Sequence, residues 1–201
     1  MRIIALVVGL LLMLLLSCSQ GLHKKRERSQ TMTQNDYGKP NPQAPQQLRL
    51  FDFLVGKWEC EVRIKNQNTG EAALKAIWTG RYILDGFVIA DEYRMVDADG
   101  NLVMLGMNYR SYDTRSHSWK MKWLDAMNST WLNLGPEELG GVESAGNSIS
   151  LKAQYKPNEL HRIRFFDISE AHFTWRVDIS TDGGKTWNDA VMIIEARRPT
   201  V

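Results

Sequence analysis

Two carboxylates, Asp91 and Asp125, stand in stretches that are otherwise apolar, and general acid or base chemistry would be sought at such residues. A carboxyl group taken out of water has its pKa raised, which lets it hold or release a proton near neutral pH. Glu92 adjoins the first, Tyr93 and Tyr109 bring phenols, and Arg94, Arg110 and Arg176 bring positive charge. No nucleophile, base and orienting group fall at a spacing that would assemble a catalytic set, so the sequence assigns no catalytic residue. The plain structural alternative is that Asp91 or Glu92 faces water while Asp125 pairs with an arginine across strands.

Other reactive side chains give less. A haem barrel needs a neutral imidazole pointing inward from a wall strand. His161 follows a turn beside Arg162, His172 is out of phase with Phe173, Trp175 and Val177, His117 lies in a turn, and His23 lies in a polar tail. All four read as exposed, and no pair has metal-ligand spacing, so neither a cofactor nor a metal is expected. Cys60 alternates with charged neighbours and reads as a small buried hydrophobe.

Ser180-Thr181-Asp182-Gly183-Gly184-Lys185-Thr186-Trp187 matches the Asp-box hairpin of sialidase-like propellers. Its aspartate accepts bonds from turn amides and its glycines supply positive φ, so one copy reads as hairpin architecture rather than glycan chemistry.

The elements that must position these groups are strands. Trp58 to Lys65 alternates apolar and charged residues over eight positions, the period-two signature of a strand with one buried face. Similar runs follow at Ala73 to Thr79, Phe87 to Val96, Leu102 to Tyr112, Trp119 to Met127, Ser129 to Leu134, Ile149 to Tyr155, Arg162 to Ile168, Phe173 to Ile179 and Ala190 to Ala196. Turn-rich separators divide them, among them Asp97-Ala98-Asp99-Gly100 and Gly140-Gly141. Leu48 to Val55 reads as a short helical turn that plugs one end. The fold class is therefore all-β: an antiparallel meander of about ten strands closed into a single lipocalin-like barrel, because closure removes exposed edges.

A barrel of that size can hold a small guest. Its expected ligand-binding wall is Trp58, Trp78, Tyr93, Met95, Met104, Trp119, Met121, Trp123, Phe173 and Trp175, all on alternating positions. Aromatic rings and thioethers suit an apolar or planar ligand. The same side chains could equally fill the interior, and apolar pattern alone leaves both readings open.

The first residues fix a different expectation. Arg2 precedes the apolar run Ile3 to Leu16, and Leu15-Leu16-Ser17-Cys18 resembles a bacterial lipobox cleaved before Cys18. Residues 1–17 are thus expected to be a signal peptide and Cys18 the lipidation site, with Ser19 favouring the outer membrane. The run falls short of the roughly twenty residues that span a bilayer. Residues 18–47 read as a disordered spacer, rich in Gln, Asn, Ser and Pro. Residues 48–201 are the barrel domain. From residue 49 onward the chain carries 19 basic against 21 acidic residues, which gives no reason to expect nucleic acid. The basic run Lys24, Lys25, Arg26 and Arg28 suits an anionic membrane surface or plain solvation. The expected partners are a small hydrophobic ligand and, through the N-terminal lipid, the membrane.

Phe51-Asp52-Phe53-Leu54-Val55-Gly56-Lys57-Trp58-Glu59 is the most specific string in the domain. With Gly86, Tyr109, Tyr112-Asp113, the strand from Trp119 to Trp123 and Asp125, it resembles the bacterial domain of unknown function 1579 family over roughly residues 48 to 198. The resemblance implies a calycin-like or lipocalin-like barrel for which a ligand is presumed and no general activity is established. Residues and resemblance together leave three expectations: an envelope barrel binding a small hydrophobic molecule or envelope lipid, a small barrel enzyme using buried Asp91 or Asp125, or an envelope scaffold with a filled core.

Overall fold

The computed structural model describes residues 37–66 and 70–200. The signal segment, Cys18, the basic run and the spacer up to residue 36 lie outside the described residues.

Among the described residues eleven strands form one antiparallel sheet: β1 (Gly56–Asn66), β2 (Gly70–Ile83), β3 (Val88–Val96), β4 (Leu102–Asp113), β5 (Ser118–Asp125), β6 (Thr130–Leu134), β7 (Val142–Ala145), β8 (Ser148–Lys156), β9 (Glu159–Phe166), β10 (His172–Ser180) and β11 (Asn188–Arg197). All ten expected strands are present. The addition is β7, a four-residue strand behind Gly140-Gly141, too short to show a period in the sequence. The order is β6-β5-β4-β3-β2-β1-β11-β10-β9-β8-β7. The first strand pairs with the last, Cys60 opposite Ala196 and Val62 opposite Ile194, so the termini are sealed and the seam lies between β6 and the β7–β8 hairpin. There the Gly135 N–H donates to the Lys152 carbonyl at 2.8 Å, and the sheet curls into a near-barrel.

Period two sets the faces. Trp58, Cys60 and Val62 point inward from β1, while Glu59, Glu61 and Arg63 point outward. Cys60 is buried as expected, and burial pushes its thiol up to about 12.

The floor is a 3-10 helix, Gln46–Leu54, which buries Leu48, Phe51 and Leu54. Phe51 meets Trp119 edge-on at 5.0 Å and Phe165 at 6.1 Å. Fully burying each such side chain contributes about 1.5–3 kcal/mol relative to exposure, enough to hold a helix too short to be stable alone. Gly56 (φ 107°) turns the chain from this helix into β1. A Cβ there would lie 2.4 Å from the guanidinium of Arg198, which stacks on the Trp58 ring at 3.6 Å and bonds the Phe53 and Lys57 carbonyls. The Gly-x-Trp string is thus a latch joining helix, first strand and last strand.

Residues 37–45, expected within the spacer, lie instead against the barrel. Tyr37 is buried, and the Asn41 N–H donates to the Gly86 carbonyl at 3.1 Å.

Candidate functional site

Above the floor helix the barrel is hollow, with a cavity of about 220 Å³. Of the ten residues expected on its wall, Trp78, Tyr93, Met104, Met121, Trp123 and Trp175 line it. The other four do not. Trp58 and Phe173 are fully buried beneath the cavity, packed on each other at 4.8 Å, with the Trp58 indole N–H donating to the Leu54 carbonyl. Met95 is packed within the wall, its sulfur taking the Tyr93 hydroxyl at 3.7 Å. Trp119 stands between the floor helix and Tyr112 and borders depressions outside the lumen. All four share the inward phase; the floor helix decides which inward positions are core and which are wall.

Gly106 makes room on the wall for Trp123. A Cβ on Gly106 would fall 2.1 Å from the far end of that indole, so only glycine lets the ring lie against β4.

One polar cluster interrupts the apolar wall. Asp91 faces inward from β3 and is fully buried. Its Oδ1 accepts from the Trp78 indole N–H at 2.6 Å and from Asn108 Nδ2 at 2.8 Å, while its Oδ2 is paired with Arg110 Nη1. Arg110 is 3% exposed, lines the cavity and lies 5.0 Å over the Phe51 ring. Burial pulls its pKa down to about 9, still well above neutrality. Asp91 is therefore held by three donors, the Trp78 indole, the Asn108 amide and the Arg110 guanidinium.

Asp125 corrects the expectation of a second buried carboxylate. It is the last residue of β5, partly buried, and its Oδ1 accepts the Met127 and Asn128 amides of the following turn while its Oδ2 accepts Asn128 Nδ2. Those bonds, the Asn128 side chain foremost, hold its carboxyl below the usual range. It caps the turn that follows, and among the described residues Asp91 is held by Trp78, Asn108 and Arg110 rather than by Asp125.

His161 is a second correction: it faces inward at the open end, 16% exposed, rather than outward. Its phase with Ile163 and Phe165 on β9 carried that signal, and the nearby turn obscured it. Tyr155 stacks on its ring at 4.8 Å, and Glu159 Oε1 lies 3.0 Å from its Nε2. His172 faces outward as expected and meets Glu195 at 2.8 Å. Among the described residues no group of His, Cys, Asp or Glu is arranged to hold a metal.

Two wider depressions, of about 420 and 650 Å³, lie outside the barrel wall and are bordered by polar and charged side chains such as Glu137, Lys120 and Lys122. The lumen is the better site because an enclosed apolar space buries most of a guest's surface.

The Asp-box hairpin is architecture. Asp182 accepts the Lys185 and Thr186 amides at 3.0 and 2.9 Å, and Trp187 carries the Arg162 guanidinium at 4.5 Å.

An antiparallel sheet in this order, plugged at one end and hollow behind the plug, is a calycin-like barrel. Among solved structures the chain is similar to Rv2717c from M. tuberculosis, with a TM-score of 0.53 at 10% identity, over 78% of this chain and 99% of that one. It is also similar to the S-type phycobiliprotein lyase CPES from Guillardia theta (TM-score 0.49, 12% identity, 76% of this chain and 92% of that one) and to EF1p2_mFAP2b bound to DFHBI (0.37, 13%, 75% and 98%). At 10% identity the first likeness shows the fold. No family model and no curated protein sequence matches the chain.

Proposed function

We propose that this protein is a lipid-anchored cell-envelope barrel that binds a small apolar molecule in its lumen. The observation that carries the reading is the cavity itself, about 220 Å³ of space walled by aromatic, Met and aliphatic side chains behind a fully packed floor. A dry apolar cavity of about 150 Å³ takes up benzene, so this one suits a single substituted ring or a short branched chain. A whole diacyl lipid exceeds it. Anchoring is supported by Arg2, the apolar run to Leu16 and the Ser17-Cys18 junction, and family membership by the residues around Gly56-Lys57-Trp58.

Native mass spectrometry of the full protein, purified from its own envelope fraction and compared with the denatured sample, tests the binding. A retained non-covalent mass of a small organic molecule is expected. A bare polypeptide whose tryptophan emission is also unmoved by added ethylbenzene would overturn it. Anchoring is read from incorporation of labelled palmitate, expected in the wild type and absent in Cys18→Ala.

A further inference from the structure

Arg110 is a charged donor on the lumen wall, and among the described residues its ion pair with Asp91 engages only Nη1. A guanidinium carries five N–H donors. Among the described residues its ion-pair partner is Asp91, which engages Nη1. It is 97% buried in the sense that 3% of its surface is exposed, and it borders the cavity. It is also fixed in place: Asp91 grips it from β3, Phe51 of the floor helix lies beneath its charge at 5.0 Å, and Asp91 is itself tied by Trp78 and Asn108. At the open end His161 Nε2 lies 3.0 Å from Glu159 Oε1, and Tyr155 stacks on the His161 ring.

We infer that Arg110 orients the ligand, and that the ligand carries an uncharged acceptor of the carbonyl type on its small apolar body. This rests on the binding reading above. An acceptor is required because Arg110 offers only donors. It is uncharged because Asp91 already neutralises Arg110: a carboxylate guest would bring a second negative charge beside Asp91 inside a low-dielectric enclosure, where like charges repel strongly. A hydrocarbon guest would cover the remaining donors and satisfy none of them.

Three ring-sized probes separate these chemistries: acetophenone, ethylbenzene and benzoate, titrated at neutral pH into the full protein while the emission of the wall tryptophans Trp78, Trp123 and Trp175 is followed. Acetophenone is expected to bind at least tenfold tighter than either of the others. Asp91→Asn removes the compensating charge, and the preference is expected to invert toward benzoate, which a merely structural role for the pair would not produce. If Asp91→Asn does not fold, the neutral double variant Asp91→Asn/Arg110→Met is expected to bind acetophenone and ethylbenzene alike. Equal wild-type affinity for acetophenone and ethylbenzene, or a wild-type preference for benzoate, overturns the inference and leaves the apolar lumen standing as a binding site. Failure of all three probes to bind overturns both.

Discussion

Asp178 faces outward from β10, yet it is fully buried, because Arg162, Arg164 and Arg176 fold over it and the Ala190 amide donates to it at 2.8 Å. Burial raises its pKa, but the Ala190 amide and the Arg176 and Arg162 bonds outweigh that and hold it below the usual carboxylate range. Removing one partner of a buried pair costs about 3–5 kcal/mol, less where the partners reach solvent, as these arginines do. Asp178→Asn is therefore expected to lower stability by about 2 kcal/mol in urea unfolding, and an unchanged midpoint would refute the role. Cys60 makes the opposite case: buried and pushed to about 12, it is expected to resist a thiol reagent at pH 8 until the chain is unfolded. Arg110, Asn108 and Asp91 share the inward phase of β3 and β4, so their presence in the lumen was legible. What each would touch was not, since Trp78 reaches Asp91 across a diagonal that depends on sheet twist.

Two glycines decide how elements meet, each through space rather than φ. Gly80 of β2 lies under the floor helix, where a Cβ would stand 2.2 Å from the Leu54 carbonyl oxygen. Gly80→Ala is expected to lift the plug and cost about 1–3 kcal/mol in thermal or urea unfolding. Gly106→Ala acts on the wall: its Cβ would meet the Trp123 indole at 2.1 Å and the Leu124 carbonyl oxygen at 2.5 Å, so it is expected to push the indole into the lumen, weakening ethylbenzene binding, and to cost about 1–3 kcal/mol in urea unfolding. Apolar–polar alternation along the chain marked all ten expected strands, because a period of two follows from strand geometry wherever one face is wet. β7 and the inward turn of His161 were missed for related reasons. Four residues are too few to show a period, and a residue beside a turn can take either face.

For the whole molecule, the pH limits follow from the direction of each shift. Asp97, Asp113, Asp125, Asp178, Asp182 and Glu159 are all held below their ordinary values. Carboxylates shifted this way give stability that is present above about pH 4 and lost as pH falls through the folded values. Cys60, Tyr82 and Tyr93 are raised, foremost by burial, so their contribution is complete below about pH 8 and lost as pH rises. The thermal midpoint is expected to be flat between about pH 5 and 8 and to fall on both sides; a maximum at acid pH would contradict the cluster around Asp178 and the turn-capping aspartates.

The sequence by itself determined the all-β class, the plug, the inward set on β1 and the burial of Cys60, since all of these depend on local periodicity and side-chain hydrophobicity. Tertiary structure alone decided that β1 closes on β11, that the seam lies between β6 and the β7–β8 hairpin, and that Trp58, Met95, Phe173 and Trp119 are core or outer wall while Trp78, Trp123 and Trp175 face a cavity. Those outcomes turn on where the floor helix stops and how far the sheet curls. Both are set by contacts between residues distant in the chain, such as Arg198 on Trp58 and Phe51 on Phe165, which no local pattern encodes.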